Sequence, residues 1–120
     1  MKAIILNIIL VLFIFTSCTK NNQVSVNYLS TGAISEYILY YQDADGTLQN
    51  VNVKPESAQD VYNVKFKGEQ GDIVYVSGRY SDPNSALKIM IKIDGKIYKQ
   101  AANEGDTLKF LTVSGVIPYH

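Results

Sequence analysis

The chain has no tryptophan, one cysteine, one histidine and three prolines among its 120 residues. A single cysteine cannot close an intrachain disulfide. Cys18 and His120 stand about a hundred residues apart with no second ligand pair near either, so a zinc-type site has no donors and no metal or cofactor is expected. Ser77, Ser114 and the other hydroxyls have no second histidine or lysine partner to activate them, which leaves a nucleophilic triad unassembled and argues against an enzyme. Arg79 is the sole arginine and the lysines are scattered along the sequence, so no basic motif points to nucleic acid. Basic and acidic residues balance at eleven each. Low-complexity segments, internal repeats and any dozen-residue window with a helical period are missing after residue 23.

What is present begins with Met1 and Lys2 and an apolar run from Ala3 to Phe15, interrupted at Asn7 and closed by Thr16-Ser17-Cys18. The run falls short of the ~20 apolar residues that a membrane-spanning helix needs. A charged start, a short apolar segment and small residues at its end form the pattern of a secretory signal. The stretch Phe15-Thr16-Ser17-Cys18 resembles the lipobox of bacterial lipoproteins, Phe15 supplying the apolar bulk three places before the cysteine. That resemblance implies cleavage before Cys18 and acylation of the new N-terminus by groups such as palmitate, so that residues 1–17 are a signal peptide and the protein is anchored to a membrane. The competing reading is a buried thiol at the end of an uncleaved anchor helix. Residues 18–23, mostly small and polar, then read as a tether. Removal of Lys2 with the signal leaves ten basic against eleven acidic residues.

From residue 24 onward the pattern is strand, turn, strand. The segments 24–31 and 34–42 are rich in β-branched and aromatic residues and are separated at Gly32; Asp43-Ala44-Asp45-Gly46 then turns the chain into 47–53. Lys54-Pro55 breaks that strand. Residues 60–66 alternate, the turn at 68–71 leads into 72–80, and Leu87, Ile89, Ile91 and Ile93 face away from Lys88, Lys92 and Asp94. Asp94-Gly95 predicts a two-residue hairpin, and a turn at 103–106 leads into 107–113. Seven or eight short strands in about a hundred residues predict an all-β domain over 24–120, an antiparallel immunoglobulin-like sandwich, with a small closed barrel as the alternative. The predicted core is Tyr37, Leu39, Tyr41, Val64, Phe66, Val74, Val76, Ile89, Ile91 and Phe110.

The segments "YYQDADGTLQNVNV" (40–53) and "IMIKIDGKIYKQAANEGD" (89–106) resemble the two best-marked segments of the mycobacterial small membrane protein family MmpS. The resemblance spans most of residues 24–119 and rests on hairpin motifs. It implies an immunoglobulin-like sandwich on the outer side of a membrane and a role as accessory to a lipid exporter; members of that family carry a spanning helix where this chain has its lipobox-like run.

Three further groups of residues invite chemistry. Asp43, Asp45 and Asp82 suggest half of a calcium loop, but the remaining oxygen ligands are missing and turns demand Asp and Gly in any case. Glu36, within an apolar strand, suits either a perturbed carboxylate or a charge that blocks edge pairing. Nine tyrosines are the dominant large side chains. Tyr40, Tyr75 and Tyr98 are predicted to lie beside Ile38 on faces away from the core, as contact surface for protein or sugar; the bland alternative is tyrosine at core edges with its hydroxyl in water.

The expected function is therefore that of a non-catalytic, lipid-anchored binding or accessory module of the bacterial cell envelope, at the outer membrane facing the periplasm, with an envelope protein as partner. The alternative is a carbohydrate- or peptide-binding lipoprotein of a nutrient-uptake system. Mass spectrometry of the protein extracted from its own membranes is expected to find an acylated Cys18 as the first residue. An unmodified Cys18 inside an intact 1–30 peptide contradicts the assignment.

Overall fold

Alternation of apolar and polar side chains with period two carries most of the described residues into strands. The computed structural model describes residues 23–105 and 109–119. Cys18, the expected acylation site, and the sole histidine, His120, lie outside the described residues. Among the described residues there are eight strands: β1 (Gln23–Thr31), β2 (Tyr37–Gln42), β3 (Leu48–Val53), β4 (Tyr62–Glu69), β5 (Ile73–Tyr80), β6 (Ala86–Ile93), β7 (Lys96–Glu104) and β8 (Phe110–Val116). All pairings are antiparallel, in two four-stranded sheets of order β4-β1-β6-β7 (sheet I) and β3-β2-β5-β8 (sheet II). The expected sandwich is the fold; the sheets remain separate and no barrel closes.

Two connections are local hairpins, and their turns follow the predicted chemistry. Asp94 and Gly95, with φ of 52° and 80°, join β6 to β7 as a primed turn needs. Between β2 and β3, Asp43 Oδ1 accepts from the amides of Asp45 and Thr47, both at 3.0 Å, and Gly46 takes the left-handed position at φ 79°. The remaining connections cross from one sheet to the other. Each crossing brings residues distant in sequence face to face across the core.

That core is built from the inward halves of both sheets: Val26, Tyr28, Ile89 and Ile91 from sheet I meet Leu39, Val74 and Val76 from sheet II, all of them fully buried. Tyr41, Val64 and Phe66, predicted within the core, are half-buried and pack against it. Gly78 of β5 leaves room for the other sheet, since a Cβ there would meet Leu87 Cδ2 and come within 2.9 Å of Ile89 Cδ1.

Three local expectations need correcting. Phe110 is 43 % exposed. Along β8 the buried phase is Leu111 and Val113, which stand opposite Gly78 and Val76 of β5, and Phe110 points outward opposite Arg79. The second strand begins at Tyr37, three residues later than predicted, because the Ile34 amide is drawn to Ser85 Oγ at 3.2 Å. Glu36 therefore sits exposed in the connection ahead of β2, outside any strand.

Tyrosine does here what disulfides do in many small domains. The Tyr28 hydroxyl, from β1, donates to the Gln42 carbonyl at 2.8 Å and accepts from the Tyr75 amide at 3.2 Å. Gln42 and Tyr75 continue the β2–β5 register one step past its last paired residues, Tyr41 and Val76, so the hydroxyl of one sheet is inserted between two backbone groups of the other. Its ring packs at 5.9 Å from Tyr41 and 5.3 Å from Phe66. Tyr37 of sheet II meets Ser30 of β1 at 2.6 Å, and the Tyr80 hydroxyl donates to the Gly105 carbonyl at 2.9 Å, just past the end of β7. All three hydroxyls are thus bonded across the sandwich.

Burial pushes the Tyr28 hydroxyl up to about 12, and it raises Tyr37 and Tyr41 as well. A folded value above the unfolded value of 10.0 favours the neutral tyrosine in the fold, so this contribution is complete below pH 10 and is lost as pH rises from 10 through 12. Alkaline unfolding followed by circular dichroism is expected to begin in that window. Replacing Tyr28 by Phe keeps the ring but leaves the Gln42 carbonyl and Tyr75 amide unpaired, at a cost of roughly 1–3 kcal/mol at neutral pH. Unchanged neutral stability of Tyr28→Phe would show that the bridge holds nothing.

Candidate functional site

The outer face of sheet II differs in composition from every other surface of the domain. Alternation along each strand sets its members: β2 points Tyr37, Leu39 and Tyr41 inward, which turns Ile38, Tyr40 and Gln42 outward. On β5, Val74 and Val76 face the core, which turns Ile73, Tyr75, Ser77 and Arg79 outward. The registers place Ile38 beside Arg79, and Arg79 beside Phe110. They place Tyr40 beside Ser77 and Asn50, and Tyr75 beside Ser114.

Half of the exposed large apolar residues of the described chain collect on this face: Leu48 at 58 %, Ile73 at 59 %, Phe110 at 43 % and Val116 at 48 % exposure, from β3, β5 and β8. Ile38, Tyr40 and Tyr75 are half-buried among them. The remaining outward residues are neutral and polar, among them Asn50, Asn52, Gln42 and Thr112. Arg79 is the one charged residue in the four strands of the sheet, and its guanidinium lies 6.0 Å from the centroid of the Phe110 ring. Ser77 forms the floor, buried at 2 % exposure and accepting a hydrogen bond from the Thr112 hydroxyl at 3.1 Å. A sheet face in water ordinarily carries charge. Here an apolar and aromatic band is set in amides and hydroxyls.

The C-terminal segment is not laid across Ile38 and Tyr40. The Ile117 amide donates to the Asp72 carbonyl at 2.8 Å and its carbonyl accepts from Gly71 at 2.9 Å. Ile117 is fully buried, so this stretch plugs the end of the sandwich beside the β4–β5 turn.

Of the four predicted surface residues, Ile38, Tyr40 and Tyr75 share this face and Tyr98 does not. Tyr98 belongs to β7 of sheet I and packs against the core. Its hydroxyl donates to the Val116 carbonyl at 2.9 Å and accepts from the Val116 amide at 3.3 Å, satisfying the free edge of β8. Gly115 makes this possible, because a Cβ there would lie 2.6 Å from the Tyr98 hydroxyl. The two-residue turn at Asp94-Gly95 sets Ile97 opposite Lys92 and so puts Tyr98 on the core-facing side of β7, ahead of the shift that brings Lys99 opposite Ile91. Leu48, Ile73, Phe110 and Val116 were missed because each sits singly at the end of its strand, and only the register assembles them.

The acidic groups play local parts. Both Asp43 oxygens are occupied, Oδ2 by Gln49 Nε2 at 2.9 Å and Oδ1 by the turn amides, and these hydrogen bonds, that of Gln49 foremost, hold its pKa below the ordinary carboxylate value. Asp82 Oδ1 accepts from the Asn84 amide at 2.9 Å in a different loop. Among the described residues no three acidic, histidine or cysteine side chains come together as a metal site. No family model matches the chain, and no curated protein matches it.

Proposed function

We propose that this protein is a lipid-anchored binding module of the bacterial cell envelope that acts by recognition rather than catalysis, and that the outer face of sheet II is its recognition surface. The observation that carries the reading is the gathering of Leu48, Ile73, Phe110 and Val116 around Tyr40 and Tyr75 on a sheet with one charged residue. Exposed apolar surface with neutral hydrogen-bonding groups and few charges has the composition of the centre of a protein–protein interface. Aliphatic anchors as prominent as Leu48 and Ile73 favour an envelope protein as partner. Acylation at Cys18 holds the domain at the membrane, by this reading the outer membrane on its periplasmic side, where the partner is met. The hairpin resemblance to the MmpS family supports an accessory role beside a larger transport or assembly complex.

A second reading rests on a separate feature of the same face. Tyr40 and Tyr75 are set among the amides of Asn50, Asn52 and Gln42 and the hydroxyls of Thr112 and Ser114, a set of groups that suits a neutral glycan. Tyr40→Ala distinguishes both readings from a purely structural role for the face. Affinity isolation of the lipidated protein from its own membranes is expected to recover a defined partner with the wild type and at least several-fold less with Tyr40→Ala, at nearly unchanged melting temperature. Equal recovery from both forms refutes the surface assignment. Displacement of the wild type by free oligosaccharide selects the glycan reading.

A further inference from the structure

Charge is divided between the two sheets in a way the balanced composition conceals. Every lysine within a strand belongs to sheet I, on β4, β6 and β7, while the carboxylates of the described residues lie in turns and loops or at the last residue of β4 and β7. On β4, Lys65 and Lys67 alternate with the inward Val64 and Phe66; on β6, Lys88 and Lys92 alternate with the inward Leu87, Ile89 and Ile91. The register sets Lys65 and Lys92 on either side of Asn27, and Lys67 beside Ser25. None of these four ammonium groups is paired with a carboxylate among the described residues; Lys67 Nζ donates at 2.8 Å to the Ser25 hydroxyl, a neutral acceptor. The four cations therefore share one outer face with their charge uncompensated.

We infer that the outer face of sheet I is a docking surface for an anionic membrane, held against lipid headgroup phosphates by Lys65, Lys67, Lys88 and Lys92. β1, the strand that begins at Gln23, lies between the two lysine-bearing strands β4 and β6. Only residues 19–22 separate it from Cys18. Fully extended, that tether reaches at most about 18 Å. A domain so short of slack presents one side to the bilayer, and lysines within a Debye length of roughly 8–10 Å feel its negative surface potential. Sheet I toward the lipid also leaves the nearly uncharged face of sheet II pointing away, open to a partner. The inference rests on acyl anchoring at Cys18 and is independent of what sheet II binds.

The test is amine footprinting of the full acylated protein in vesicles, read residue by residue by mass spectrometry. In phosphatidylglycerol-containing vesicles, acetylation at Lys65, Lys67, Lys88 and Lys92 is expected to be several-fold slower than in pure phosphatidylcholine. The exposed Lys54, between β3 and β4, serves as reference and reacts equally in both, and high salt abolishes the difference. Equal rates in both lipids with the protein retained on both overturn the docking surface and leave the anchor standing. Loss of the protein from both vesicle types overturns the anchor, and the docking surface with it. Stronger protection of the same lysines by soluble heparin than by anionic vesicles overturns the membrane assignment in favour of a polyanion.

Discussion

The Tyr28 hydroxyl is the point on which the two sheets depend most. It closes the β2–β5 ladder where the backbone groups of Gln42 and Tyr75 part, and it does so from the opposite sheet. A buried hydroxyl without partners is costly, as are a buried carbonyl and amide, so the three groups solve one another's problem in a single arrangement. That arrangement sets the offset between β1 and the β2–β5 pair. Ring contacts with Tyr41 and Phe66 then fix the side of the core on which the β2–β3 hairpin and β4 meet. In a described domain with no cysteine, directional hydrogen bonds from Tyr28, Tyr37, Tyr80 and Tyr98 supply the specificity that a bridge would otherwise give.

Once the sheets are locked in this relation, their outer faces are determined by alternation alone, and the two faces come out unlike. Sheet I exposes lysines; sheet II exposes aliphatic and aromatic groups set in amides and hydroxyls, with Arg79 resting near Phe110. Turns take the carboxylates, where Asp43, Asp82 and Asp94 accept backbone amides: Asp94 Oδ1 binds the Ser25 amide at 2.9 Å across from the β6–β7 turn. A zero net charge thus hides a strongly asymmetric surface. Solvation alone would favour similar faces on both sides of a sandwich, so the asymmetry supports two different neighbours.

Much of the fold was legible because its signals are local. Asp94-Gly95 and Asp43 to Gly46 specify their turns within a few residues, and Leu87 to Ile91 declare their face without ambiguity. Phe110 was misplaced because both phases of its segment carry a large apolar residue, and the choice between them was made by Gly78 and Val76 on a neighbouring strand. Tyr98 was misplaced although its side could be counted, since the Asp94-Gly95 turn sets Ile97 opposite Lys92 and leaves Tyr98 facing the core. The lysine face was invisible for a different reason: Lys65 and Lys92 are neighbours only through β1, a relation between segments far apart in sequence. The tyrosine bridges, from Tyr28 to Tyr75 for example, are likewise long-range and leave no periodic trace.

The proposed binding role rests on one apolar, nearly uncharged face of the sandwich, a surface suited to recognition. Site-specific photo-crosslinking in native membranes tests this most directly, with a benzophenone side chain placed at Tyr40 on sheet II and, in a second form, at Asn63 on the outer face of sheet I. The account predicts one discrete protein or glycan adduct from position 40 and none of that species from position 63. The same adduct from both positions, or none from position 40 in a protein shown to be folded and membrane-bound, contradicts it.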